Sequence, residues 1–587
     1  MAKFKGFVGS SYLFSNTQYD CQRTVNMYPE VDETGEGTDG EFAQLTSRQG
    51  KTLAVTLGGA TVRGMWVTSD NRMFAVSGNQ AYQITYDSIT QVWTATPIGT
   101  LVTSLGYVSI ADYAGVVVFV DNPNGYYYAP GQVTTISPHT GGSGYNVGDQ
   151  LTIAAVGTQG VQFLCEVSSI SAGGVITGLK IVWGGNGYTA GSYTNIPVAY
   201  YAGAGGLGAT VNITVSAYNF GQIIDPDWPT NGAMQVNSID GYFTFITKGT
   251  TFWFNSAPDG QVLPLQFGTF GFLNNKTGNS DPINGHLIVQ RQVWLLGTQT
   301  GEVWGDTVSA TSAFQRIPGP YLQQGCYSPS SVAVAEVPGG SIGFWVSQSP
   351  RGGAQVYCTD GLSSTKISTQ VVDQQLQKYG DAMSYCTAFT YQEGGHIFYQ
   401  VNPPTGNSSW VYDLTTSQLT TVPTWHERTW TNGLGQSSRD LADNQCYFMG
   451  FQLFGDYSSG NVYFLDANNK TDNGAPIYKE RISPHVADEF DRVFYDMFQL
   501  KCRAGVGNTT TPSVNPLVIL YISDDGGLTY SRGQSMPIGQ LGQYVQLLRW
   551  NRQGYGRNRV FKITCTDNIQ WDIMGADITV SVSKSPY

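Results

Sequence analysis

The sequence predicts an all-β chain: a β-propeller of six or seven degenerate blades, with a small inserted β module and a β-sandwich-like domain at its C-terminal end. Three observations predict it. Charged residues are only 12% of the 587, while there are 72 Gly, 35 Tyr and 27 Phe, the composition of twisted sheets joined by tight turns. The runs of Ala, Glu, Lys and Leu that long helices require are missing. A short apolar strand, a turn and an aromatic-rich strand recur every ~35–55 residues, the period of a propeller blade.

Residues 1–55 read as an extended, irregular segment. Within it Glu30, Asp32, Glu33, Glu36, Asp39 and Glu41 follow one another without a base, so a solvated surface loop is expected. The blades occupy 56–133 and 219–472. Their repeats are Arg63–Val76, Ser109–Val120, Asn237–Phe254, His286–Trp304, Ser331–Tyr357, Tyr385–Asp413 and Gln445–Leu465. Each meander is too small to bury both faces alone, and stacking around an axis covers them. No blade carries a W-D or kelch signature, so rhythm is what supports the repeat.

Residues 134–218 interrupt that rhythm. Gly142-Ser-Gly-Tyr145 and Gly185-Asn-Gly-Tyr188 echo each other 43 residues apart, and clear strands such as Val175–Trp183 and Ala209–Val215 lie around them. A small β module inserted in a blade loop is expected, since loops accept insertions at little entropic cost. Residues 473–587 contain at least five strands, enough for an independent sandwich-like domain.

Net charge is −12 and the pI near 4.9, which argues against gripping nucleic acid by phosphate neutralisation. The segment Met1–Ser10 lacks an apolar stretch of signal length, so synthesis in the cytoplasm without a secretion signal is expected. Eight scattered Cys without C-x-x-C spacing read as small buried hydrophobes. The five His (139, 286, 396, 426, 485) have no zinc spacing, and no phosphate-cradling G-x-x-x-x-G-K-[ST] loop occurs. No cofactor and no metal are expected. Asp466-Ala-Asn468-Asn-Lys470-Thr-Asp472 alternates oxygen ligands as a calcium loop does, but Lys470 occupies a ligand position and a polar turn is the better reading.

Ser523-Asp-Asp525-Gly-Gly527-Leu-Thr529-Tyr530 matches the Asp-box pattern familiar from sialidases, a hairpin turn without chemistry of its own. Arg316-Ile317-Pro318 resembles the sialidase R-I-P element, but stands mid-chain with a single box after it. No carboxylate pair for glycosidase chemistry can be selected, and no catalytic residue is assigned. Arg549, Arg552, Arg557, Arg559 and Lys562 place five bases within fourteen residues. They form either a solvated strand face guarded against edge pairing or a docking patch for an acidic partner or a contact near DNA. Tyr126-Tyr127-Tyr128 could stack on sugars or bases, with blade-to-blade packing the commoner fate.

Three segments carry a family resemblance. Arg23-Thr-Val-Asn26-Met27-Tyr28-Pro29-Glu30 resembles the opening of the tail hub or nozzle ("packaged DNA stabilisation") proteins of short-tailed, podovirus-like bacteriophages. Gln324-Gly-Cys326-Tyr-Ser-Pro329 through Phe344-Trp-Val346 is similar to their mid-propeller segment. Leu520–Gly527, Arg549–Arg559 and Ile573–Ile578, in that order, resemble their closing domain. The resemblance covers about a third of the chain, and the 134–218 insert departs from it. It implies a non-enzymatic virion protein: a homo-oligomeric ring of six copies below the portal and its adaptor ring, assembled in the host cytoplasm. Such a ring would extend or close the DNA channel, retain the packaged double-stranded DNA until ejection without sequence-specific contacts, and present surfaces to a tail needle, fibres or tailspikes. Six copies would carry about −72, and an acidic lumen lets a polyanion pass without sticking. The alternatives are a sialidase-like glycosidase on a propeller and a receptor-binding tail fibre or spike; the sequence lacks the heptads with which spikes trimerise.

Overall fold

The computed structural model describes residues 2–33, 42–59, 61–153, 163–185, 187–203, 205–256, 267, 273–307, 313–319, 322–349, 352–361, 363–432, 435–488, 491–509 and 513–583. Glu36, Asp39 and Glu41 of the acidic run lie outside them. Strands dominate, with two short α-helices at Gln370–Gln377 and Leu414–Thr420. Two compact units divide the chain: Leu57–Gly325, and Met1–Thr56 together with Cys326–Tyr587.

The unit Leu57–Gly325 contains four antiparallel four-stranded sheets that follow the chain. The first is Val62–Val67, Met73–Ser77, Gln80–Asp87 and Val92–Thr100. The third runs from Gln235–Ile239 to Leu273–Asn275, and the fourth from Ile283–Val289 to Phe314–Arg316. Second strands such as Met73–Ser77 and Val116–Val120 are buried at every residue, so they read as unbroken apolar runs rather than as alternation. Their hairpins turn through left-handed residues, among them Asp240 and Gly241 at φ 47° and 87°, as tight antiparallel turns require.

The second sheet holds the insert. Its strands Ser109–Tyr113, Val116–Val120 and Gly125–Pro130 are completed by Tyr218–Gln222, with Pro130 paired to Tyr218. Between those partners six strands form one sheet in the order Val133–Ser143, Leu207–Val215, Gly191–Ala202, Gln150–Ile153, Leu164–Ser171 and Val175–Trp183. The first and last of these also meet. Val133 N–H donates to Gly184 O at 2.8 Å and Gly144 N–H to Gly173 O at 2.9 Å, so the sheet curls back on itself as a small barrel with few open edges. The seam needs Gly141: a Cβ there would stand 2.4 Å from Val175 Cγ1 and 2.7 Å from Ile176 O. The echoed Tyr145 and Tyr188 are both buried in the barrel's core with Leu151, Cys165, Val167 and Ile213.

The other unit contains three further blade-like sheets. They run from Ala333–Val337 to Ser364–Lys366, from Thr387–Glu393 to Thr424–Thr431, and from Ala442–Phe448 to Asn461–Asp466. The last receives its fourth strand, Gly50–Thr56, from the start of the chain. The described residues thus contain seven four-stranded sheets, four in one unit and three in the other. A sandwich follows. Its first sheet orders Met27–Val31, Phe42–Ser47, Ile573–Ser583, Arg492–Cys502 and Leu548–Asn551. The second joins Cys21–Val25, Lys479–Ile482, Asn558–Cys565, Leu517–Ser523 and Gln534–Pro537. Phe498, Trp550, Phe561, Ile563 and Trp571 fill the core between them.

The N-terminal segment, expected to be extended and irregular, is therefore corrected to a set of ordered strands. Cys21–Val25 pairs with Lys479–Ile482 on one side and, in parallel at Val25 and Glu427, with Thr424–Thr431 on the other. Pieces of five to seven residues show little periodicity of their own, and these acquire their order from partners some 400 residues away.

Candidate functional site

The residues that carried the sequence resemblance converge on a buried polar seam in the unit formed by the two chain ends. Arg23 leaves its strand to meet Glu427, with Nε–Oε1 at 2.9 Å and Nη2–Oε2 at 2.5 Å. Its Nη1 reaches Glu480 at 3.4 Å. Asn26, at φ 55°, occupies a left-handed position that Asn tolerates. Its Nδ2 donates to Thr429 Oγ1 and Tyr478 O, while its Oδ1 accepts from Arg48 Nε and Thr429 N. Tyr28 packs its ring against His396 and Phe398. Arg48, fully buried, grips Asp472 with both terminal nitrogens. Lys51 pairs with Asp440, and Arg428 with Glu393 at 2.7 Å.

Burial alone would raise the Asp440 carboxyl, but Lys51 and Arg48 outweigh it and hold it below the usual carboxylate range. Buried cations and anions thus occur as pairs, as desolvation requires. The seam ties Cys21–Thr56 to strands from both the blades and the sandwich. Its chemistry is cohesion, not proton transfer: each charged oxygen already faces a cation.

The five bases of the sequence patch separate. Arg559 is buried, its Nε and Nη2 each 2.7 Å from Asp524, with its guanidinium 4.2 Å from the Tyr495 ring centre. Lys562 lies over Tyr530 at 3.8 Å and Tyr521 at 4.9 Å, and burial lowers its pKa. Arg549 is half-buried and donates twice to Gln499 Oε1. Arg552 and Arg557 are exposed.

The remaining motifs resolve into turns and core. In the Asp box, Asp525 Oδ1 accepts from Ser523 Oγ, Leu528 N and Thr529 N, and Ser523 Oγ accepts from Gly527 N. The Thr529 hydroxyl and amide, then Ser523, hold the Asp525 carboxyl down to about 2. Arg316 ends the terminal strand of its sheet, paired to Trp304. In the calcium-like stretch Asp472 is taken by Arg48, and Asp466 accepts from Thr52 Oγ1 and Asn468 N. Among the described residues no group of three or more His, Cys, Asp and Glu is placed to hold a metal ion. Tyr126 and Tyr128 are buried, and Tyr127 is half-buried with its ring edge-on to Trp183.

One constellation was not legible in the sequence: Cys21 Sγ lies 3.8 Å from His485 Nε2, and His485 Nδ1 lies 2.7 Å from Asn558 Oδ1. It has the shape of a nucleophile, base and orienting amide. Yet burial first, and Asp20 next, push the Cys21 thiol up to about 12 against the pull of Arg481. His485 Nε2 already meets Thr17 O at 3.0 Å. A neutral, buried thiol beside an occupied base is a packing element.

Two family models match the chain in succession. Residues 191–470 match the one described as bacteriophage P22 Gp10, beta-propeller, and residues 479–581 the one described as bacteriophage P22 Gp10, beta-sandwich. No curated protein matches the sequence. Solved structures that align with it include the computationally designed Ika8 protein, at 12% identity and a TM-score of 0.30, covering 70% of this chain and 99% of that one. YCF48 bound to D1 peptide aligns at 8% identity and TM-score 0.31, covering 75% and 97%. The Pseudomonas aeruginosa periplasmic gluconolactonase PpgL aligns at 10% and 0.31, covering 76% and 99%. At these scores the structural likenesses carry no argument.

Proposed function

Because this chain belongs to the bacteriophage P22 Gp10 family of packaged-DNA-stabilisation proteins, and is thus a structural protein of a phage tail, we propose that it is the subunit of a tail nozzle. Six copies form a ring below the portal and adaptor, extend or close the DNA channel, retain the packaged duplex and attach distal tail parts. The observation that carries this reading is the succession of propeller and sandwich matches along one chain. The acidic composition supports a conduit: net charge −12 per copy repels the phosphate backbone rather than binding it. Attachment sites of this kind need rigid surfaces, and the paired charges of the seam supply rigidity without offering a reactive group.

The glycosidase alternative has nothing in the described residues to favour it. Asp525 is consumed by its own turn, and the Cys21 arrangement lacks a thiolate. The test is native mass spectrometry of the purified chain combined with electron cryomicroscopy of the particle's tail. A sixfold ring of this chain coaxial with the DNA channel is expected. A monomer or trimer placed at the tail periphery, or turnover of sialylated glycans at enzymatic rates, overturns the reading.

A further inference from the structure

The terminal edge of the sandwich's first sheet presents side chains that the fold does not use. Strand Leu548–Asn551 is the last in that sheet's order. The irregular stretch before it leaves Tyr544 72%, Val545 101% and Leu547 54% exposed. Beyond it Arg552, turned by a φ of 58°, stands exposed, as do Tyr555 at 58% and Arg557. Leu547 and Arg552 are about 17 Å apart along an extended strand, so all six fit within one face of ordinary interface size, about 800 Å². Apolar and aromatic side chains beside Arg are the composition of interface centres, and exposed apolar groups clustered in this way mark interaction surfaces.

The occupant is indicated by charge. From residue 473 onward the chain has 12 Lys and Arg against 10 Asp and Glu; before it, 18 against 32. The sandwich end is slightly basic on a chain that is otherwise strongly acidic. Carboxylates close to the edge are occupied: Asp524 is taken by Arg559, and Asp496 accepts from Ser581. Contact by strand addition is blocked at Arg549, whose N–H already donates to Met536 Sδ at 3.2 Å. Recognition is therefore by side chains.

We propose that this edge docks on the acidic surface that residues 1–472 present in a second copy of the chain. The contact is heterologous, one patch against a different one, which is the kind that closes rings. It deepens the ring reading given above and rests on it.

The test uses the full-length chain. Tyr544→Asp with Leu547→Asp removes the apolar part, and Arg552→Glu with Arg557→Glu reverses the basic part. Sedimentation velocity and native mass spectrometry read assembly across concentration and salt, with circular dichroism melts as the folding control. We expect each pair to raise the concentration for half-assembly at least about tenfold with melts unchanged, as loss of interface anchors does. The charge reversal should have its largest effect at low salt. Should the aspartates disturb folding, Val545→Ser at its fully exposed position reads the same contact. A wild-type ring whose variants assemble equally well overturns this inference and leaves the ring reading intact. A wild-type chain that stays monomeric at every concentration overturns both. Variants that assemble normally but lose a different tail protein or DNA would assign the edge to that partner and overturn the second-copy assignment.

Discussion

Arg48→Ala should detach the N-terminal strands from the rest of their unit. The Arg48 side chain is 0% exposed and that of Asp472 is 4%. In the native protein two guanidinium nitrogens face the two carboxylate oxygens, Nε donates to Asn26 Oδ1 at 2.9 Å, and Nη1 donates to Gln49 O at 3.0 Å. Truncation leaves the Asp472 carboxylate buried without its cation, while Asn26 Oδ1 keeps Thr429 N. Removing one partner of a buried pair costs about 3–5 kcal/mol, mostly as the desolvation of the charge left behind. Arg48→Met with Asp472→Leu removes both charges in similar volume and should recover most of that loss. The assay is guanidinium unfolding followed by tryptophan fluorescence, with hydrogen exchange on peptides spanning 21–31 and 42–56 to locate the loss. A cost below about 1 kcal/mol for Arg48→Ala, or a double variant no more stable than the single one, would refute the claim that a desolvated pair holds this segment.

Three further outcomes are expected. Gly141→Val should destabilise the inserted barrel by about 1–3 kcal/mol, because its side chain collides with Val175 and the Ile176 backbone at the seam; limited proteolysis would show cleavage confined to residues 133–215 at lower temperature. Gln290 and Arg291 both hold left-handed φ, 50° and 59°, at a two-residue hairpin turn suited to Asn-Gly, so Gln290→Asn with Arg291→Gly should raise the melting temperature, by roughly 0.5–1 kcal/mol of stability. Burial lowers the pKa of His286 from 6.5 to about 3. An unfolded His binds its proton near 6.5 and the folded one does not, so this residue's contribution is intact above pH 6.5 and falls by about 1.4 kcal/mol per pH unit between 6.5 and 3. His286→Asn should flatten the acid limb of stability against pH by one proton; an unchanged slope would contradict the assignment.

Legibility of the candidate regions differed by residue type. Arg23 and Asn26 stood out as a motif, but nothing in their neighbourhood named Glu427, Glu480 or Thr429 as partners. The dense bases at 549–562 read as one surface. The structure splits them because consecutive strand residues point to opposite faces: Arg559 turns inward to Asp524 while Arg557 remains outside. A signal for the seam did exist in Lys479-Glu480-Arg481, three charged residues in a row on a strand buried throughout, but sequence alone cannot distinguish a buried charge with a partner from a solvated one. The Cys21, His485 and Asn558 constellation draws on positions more than 450 residues apart and left no local trace.

The sequence by itself determined that the chain is built from short strands and tight turns, because Val and aromatic runs, sparse charge and left-handed Gly, Asn and Asp act locally, through backbone sterics and the two-residue period. It also determined where the propeller rhythm breaks. Only the tertiary structure decided that Gly50–Thr56 completes a sheet begun near residue 442, that Cys21–Val25 joins a blade to the sandwich, and that the insert's first and last strands meet. Those are pairings between distant segments, selected by the free energy of burying complementary edges and charges, and that energy does not exist until the partners are brought together.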